Sequence, residues 1–122
     1  MNNSKITNDD EQFAVPMIIK LLTGTDETTQ ITSNIIIRIM NESSVCKFKM
    51  NPSRLRRCIN YIRRYEISSI MSSNKGYYIT DDEELVMKTI LTIDSRMASM
   101  LQARNGMQHM LNTIRNNKKT KK

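Results

Sequence analysis

Nine residues, Val86, Ile90, Ile93, Met97, Met100, Arg104, Met107, Leu111 and Ile114, succeed one another at alternating steps of four and three. That spacing marks one edge of an α-helix, and the two-residue alternation of a strand cannot produce it. Every position of the seam except Arg104 is apolar. A helix over residues 81–115 rises 1.5 Å per residue and is about 50 Å long. A small domain cannot cover that length. The seam therefore predicts a long C-terminal helix that packs within the molecule or, over the length left bare, offers Met97, Met100, Arg104, Met107 and Leu111 to a partner, a second copy or another protein. "TDDE" reads as its capping box, Thr80 with Glu83. Asn105-Gly106 either ends it or kinks it. "RNNKKTKK" closes the chain, and residues 116–122 are expected to be a disordered basic tail.

The remainder has to build its core without tryptophan and with only two phenylalanines, so Ile, Leu and Met must supply it. At 122 residues there is room for one domain plus an appended element. The net charge is +7, and it is segregated. Residues 1–30 and 67–95 each sum to −3, residues 31–66 to +6, and residues 96–122 carry seven bases and no acid. Basic blocks of this kind favour an anionic partner, nucleic acid before a membrane surface.

Along the chain, residues 1–13 are polar and are expected to be frayed. A first helix is expected from about Pro16, with Ala14, Met17, Ile18, Leu21 and Leu22 at helical spacing and Gly24 to end it. "ITSNIIIRIMNES" predicts a second helix capped by Thr32 or Ser33, although its isoleucines would also suit a strand. "SVCKFKM" alternates apolar and polar and reads as extended.

"NPSRLRRCINYIRRYE" predicts a third helix, with Asn51 as cap and Pro52 in its first turn. At about 100° per residue, Leu55, Cys58, Ile59 and Ile62 form its buried stripe. Ser53, Arg57, Asn60 and Arg64 lie opposite, Arg56 and Arg63 flank that face on one side, and Arg54 and Tyr61 flank it on the other. "ISSIMSSNKGYYIT" predicts a hairpin with arms Ile67–Ser73 and Tyr77–Thr80, in which Gly76 supplies a positive φ. Alternation sends one of Tyr77 and Tyr78 inward.

The fold class is thus mainly α with a small β-hairpin. "ITSNIIIRIM", "SRLRRCINYIRR", "SSNKGYYIT" and "IDSRMASML" together resemble small phage-encoded winged helix-turn-helix proteins, over roughly residues 15–101. The resemblance implies a winged helix-turn-helix over residues 14–80 with a long C-terminal helix over residues 81–115 that serves as a dimer contact. It implies a DNA-binding role in transcription or replication, in a bacterial host cytoplasm. The third helix would enter the major groove, with Ser53, Arg54, Arg57, Asn60 and Tyr61 toward bases and nearby phosphates. Arg56, Arg63 and Arg64 would neutralise the backbone, and Lys75 at the hairpin tip would touch flanking phosphate. The link "NESSVCKFKMNP" departs from the family by being longer than its usual turn. RNA stays open as the nucleic acid, and a protein-docking or virion-associated adaptor built on the C-terminal helix is the alternative.

No catalytic set emerges, so an enzyme is not expected. There is one histidine, His109, no glycine-rich phosphate loop, and no cysteine close to a histidine in sequence. Two cysteines give no metal-ligand pattern, and reduced thiols are expected for Cys46 and Cys58. No cofactor, small-molecule substrate or metal is expected. No run of eighteen apolar residues exists to span a bilayer.

Overall fold

Among the described residues a π-helical segment (Asp10–Ala14) leads into α1 (Val15–Leu22), followed by α2 (Ser33–Glu42), α3 (Pro52–Arg64), β1 (Ile70–Ser73), β2 (Gly76–Ile79) and α4 (Glu83–Thr120). The computed structural model describes residues 6–43 and 49–120, the last without its side chain. The extended conformation expected of residues 44–50 falls mostly outside the described residues, as do Cys46, residues 1–5 and the final two lysines. The chain divides into two units, Met1–Val86 and Met87–Lys122.

The first unit packs α1, α2 and α3 around Ile18, Leu22, Ile36, Met40, Met50, Leu55 and Ile62, all fully buried, and closes the core with Ile70 from β1. The aliphatic and methionine core is what the composition demands. The stripe expected on α3 is the one that is buried: Leu55, Cys58, Ile59 and Ile62. Each such aliphatic side chain contributes about 1.5–3 kcal/mol by leaving water. Asn51 caps α3 by accepting from the Arg54 amide at 2.9 Å, and Thr32 caps α2 by accepting from the Ile35 amide at 3.3 Å. Among the described residues, no buried side-chain nitrogen or oxygen lacks a hydrogen-bond partner.

Several boundaries differ from expectation for identifiable reasons. The N-terminal residues 1–13 do not all fray. Helix begins just after Thr7, whose hydroxyl accepts from the Asp10 amide at 3.1 Å and whose carbonyl accepts from the Glu11 amide at 3.0 Å. Asp9, Asp10 and Glu11 then sit at a helix N-terminus, where the backbone dipole favours carboxylates. A π-helical segment, Asp10–Ala14, joins this start to α1, so Pro16 lies inside a continuous helix and does not start one. Proline has no amide to donate and its ring crowds the preceding turn; the wider π turn immediately before it relieves both.

The hairpin is shorter on its first arm than expected. Its register pairs Ile70 with Ile79, Met71 with Tyr78, Ser72 with Tyr77 and Ser73 with Gly76, leaving Asn74-Lys75 as a two-residue turn. Residues 65–67 are used to terminate α3: the Glu66 and Ile67 amides donate back to the Arg63 and Ile62 carbonyls, with Glu66 at φ 57°. Ser69 stays in register without being strand, its hydroxyl donating to the Thr80 carbonyl. Tyr78 is the inward tyrosine, and Tyr77 is half-buried because its backbone forms a bridge with Ile31, ahead of α2. That bridge carries two hydrogen bonds, of 3.0 and 2.8 Å.

The helix α4 is capped by Asp82 rather than Thr80. The Asp82 carboxylate accepts from the Glu84 amide at 2.9 Å and its carbonyl from the Val86 amide at 3.0 Å. Asn105-Gly106 neither ends nor interrupts it. The expected tail also differs: residues 116–120 are helical, since lysine is a good helix former and cations suit a helix C-terminus. Among the described residues, no helix is long and apolar enough to cross a membrane.

Candidate nucleic-acid interface

The orientation of α3 is set by polar contacts at its two edges. On one edge, Arg54 Nε donates to Asp10 Oδ1 at 2.7 Å, and the Tyr61 hydroxyl donates to Glu11 Oε1 at 3.1 Å. Residues 54 and 61 are seven apart, two turns along the same edge, so both reach the π-helical segment. The carboxylate that accepts the Tyr61 proton holds that phenol's pKa above its ordinary value. On the other edge, Arg63 Nε donates to the Ile70 carbonyl at 2.8 Å and its Nη2 to Ser72 Oγ at 3.2 Å, tying α3 to β1. With the apolar stripe buried beneath and both edges tied, only the face opposite the stripe is left to solvent.

That face carries Ser53, Arg56, Arg57, Asn60 and Arg64, all exposed. Ser53, Arg56, Arg57 and Asn60 line an open depression of about 370 Å³. The spacing of 53, 56, 57, 60 and 64 is that of one helical face, and it contains no acid. Arg64 lies with its guanidinium carbon 5.6 Å from the centre of the Tyr65 ring, and Tyr65 in turn packs at 4.7 Å and 49° to Tyr61. Lys75 is exposed in the two-residue turn between β1 and β2.

The structure therefore separates the nine residues expected to contact nucleic acid. Ser53, Arg56, Arg57, Asn60, Arg64 and Lys75 are at the surface. Arg54, Tyr61 and Arg63 are turned onto the protein's own groups, and Arg54 is the clearest correction, since its side chain is 18% exposed against a carboxylate only 3% exposed. A buried carboxylate demands a partner, and Arg54 is the cation within reach.

Asp10 and Glu11, which hold α3 in place, are not legible in the sequence as its partners. Their contacts span 44 and 50 residues, and the only hint is an acidic block ahead of a basic one. Asn41 was missed as well. Its side-chain amide donates to the Met50 carbonyl at 3.1 Å and accepts from the Met50 amide at 2.6 Å, which fixes the end of the long link directly before α3.

Cys58 lies in the core under this face, and burial, with the Asp10 charge second, pushes its thiol up to about 12. It is a packing residue at neutral pH. Among the described residues no three of His, Cys, Asp and Glu are grouped to hold a metal ion. The residues expected to meet a partner, Met97, Met100, Arg104, Met107 and Leu111, are exposed on α4. Comparison of the chain with known protein families, with curated proteins and with solved structures finds no match.

Proposed function

We propose that this chain is a winged helix-turn-helix protein that binds duplex DNA, with α3 in the major groove and the β1–β2 hairpin as a wing on flanking phosphate. The observation that carries this reading is the sorting of charge on α3. Arg54 and Arg63 meet the protein's own oxygens, while Arg56 and Arg57 are exposed on an arc that has no acid. A face serving only solubility mixes signs. The bridge between Ile31 and Tyr77 favours the winged reading too, because it ties the hairpin back to the residue just ahead of α2.

Arg57 and Asn60, one turn apart, can each make a two-pronged contact, Arg with guanine and Asn with adenine, worth about 1–3 kcal/mol of discrimination apiece. Arg56, Arg64 and Lys75 act on phosphate, and Arg57 neutralises a nearby phosphate beside the base it reads. A regulator of transcription and an accessory of replication would both use such a surface.

Four cations, Arg56, Arg57, Arg64 and Lys75, set the salt dependence. At a slope of about −0.9 per phosphate contact, log K against log salt should fall with slope near −4, about two orders of magnitude between roughly 50 and 200 mM. Fluorescence anisotropy with a labelled duplex measures this directly. Arg56→Ala and Arg57→Ala should each shallow the slope by about 1. Absence of binding at low salt, or an unchanged slope in the double variant, overturns the proposal. Equal affinity for an RNA duplex would also contradict it, because the A-form major groove is too narrow for a helix.

A further inference from the structure

The exposed face of α4 is long, regular and unevenly charged along its length. Its seam from Val86 to Ile114 holds the four-three spacing without a slip, which is the repeat of a left-handed coiled coil. Met97, Met100 and Met107 are 62, 72 and 65% exposed, and Leu101 and Met110 beside the seam are exposed as well. Charge is polarised. The helix opens on Glu83 and Glu84, directly after Asp81 and Asp82, and residues 96–122 carry seven bases and no acid.

We propose that α4 pairs with α4 of a second copy of this chain as an antiparallel coiled coil whose twofold axis lies between Met100 and Arg104, level with residue 102. Polarity of charge decides the direction. A parallel pair would set each basic half against the other and place Arg104 opposite Arg104 in one layer of the seam. An antiparallel pair brings Glu83 and Glu84 of one helix beside Lys118 and Lys119 of the other, and opposes the two helix dipoles.

The seam also fixes the register. Antiparallel packing sets each residue reached by a step of four against one reached by a step of three. The alignment that pairs Ile90 with Ile114 of the second copy also pairs Ile93 with Leu111, Met97 with Met107 and Met100 with Arg104. Sliding by a heptad so that Met97 meets Ile114 loses apolar layers, and sliding the other way so that Met97 meets Met100 keeps their number but carries Lys118 and Lys119 past Glu83 and Glu84. In this register the stem of Arg104 lies along Met100 and its guanidinium reaches water at the edge. Leu101 and Ala103 each meet their own counterparts on either side of the axis, so the contact is self-complementary, as a twofold interface must be. The inference rests on α4 alone and not on the nucleic-acid reading of α3.

The test uses the full chain without nucleic acid. Sedimentation velocity at tens of micromolar should show a dimer, and Met100→Asp with Met107→Asp should weaken it by about a hundredfold or more, with helix content checked by circular dichroism. Direction and register are read by oxidation of single cysteines in a Cys46→Ser background. Met97→Cys mixed with Met107→Cys should give a disulfide-linked mixed dimer, and Met97→Cys alone should give almost none. Crosslinking of Met97→Cys with itself would mean a parallel pair, and a monomer at every concentration would mean no pair; either result overturns the proposal. Lys118→Glu with Lys119→Glu should weaken the dimer by about tenfold, and Glu83→Lys with Glu84→Lys added should restore it.

Discussion

Asp10→Asn is the sharpest test of how α3 is held. The change keeps the shape of the side chain, removes its charge and replaces one acceptor oxygen with an NH2 donor. In the parent, the Asp10 side chain is 3% exposed and accepts from Arg54 Nε at 2.7 Å. Removing one partner of a buried ion pair costs about 3–5 kcal/mol, because the other charge is left uncompensated. Arg54 is 18% exposed and can recover some hydration, so the expected loss falls just below that range, about 2–3 kcal/mol. A unit of this size shifts by about 4–8 °C per kcal/mol, which gives a fall in Tm of roughly 10–20 °C.

All four tyrosines, Tyr61, Tyr65, Tyr77 and Tyr78, lie in the first unit, so tyrosine fluorescence during urea unfolding follows that unit without interference from Met87–Lys122. Arg54→Met should cost a similar amount, and the double variant should be no worse than the worse single, giving a coupling of about 2 kcal/mol. At temperatures where the protein stays folded, Arg54→Met should retain its affinity for duplex DNA. Stability within about 0.5 kcal/mol of the parent for Asp10→Asn would refute the clamp, since that is the ordinary range for a surface change. Loss of DNA affinity in a stable Arg54→Met would return Arg54 to the binding surface.

Gly76→Ala should destabilise the first unit by about 2–4 kcal/mol in the same urea assay, because Gly76 has φ +134° and an added Cβ would lie 2.5 Å from the Ile31 carbonyl oxygen. Glu66→Gly should instead stabilise by about 0.5–1 kcal/mol, by relieving a non-glycine residue at φ 57° after α3. The folded-state pKa of Cys58 is raised, so its stabilising contribution is complete below the unfolded value near 9 and is lost as pH climbs toward about 12. Urea midpoints measured across that window should fall less steeply for Cys58→Ala than for the parent. In a Cys46→Ser background at neutral pH, the native protein should resist thiol labelling until urea unfolds it.

Local pattern carried most of the architecture. The buried stripe of α3, the caps at Thr32 and Asn51 and the glycine of the hairpin are each decided within a few residues, and each lies where the chain predicts it. What sequence could not disclose was pairing at a distance. Arg54, Arg57 and Arg63 all fall on the exposed arc of a helical wheel; whether the flanking two face solvent depends on Asp10 and on the Ile70 carbonyl, and neither is deducible from spacing. The N-terminal segment reads as frayed because only Ile6 among residues 2–12 is apolar, yet it is held through one buried carboxylate and a Thr7 cap. The basic end reads as a tail because helix formation by lysine leaves no apolar period to detect.

Two-dimensional amide NMR of the full chain, titrated with a short DNA duplex at low salt, tests the central claim most directly. Signals of Ser53, Arg56, Arg57, Asn60 and Lys75 should shift progressively, while those of Ile18, Ile36 and the seam of α4 stay in place. Shifts confined to α4, or none at all with duplex in excess, would contradict a nucleic-acid surface on α3.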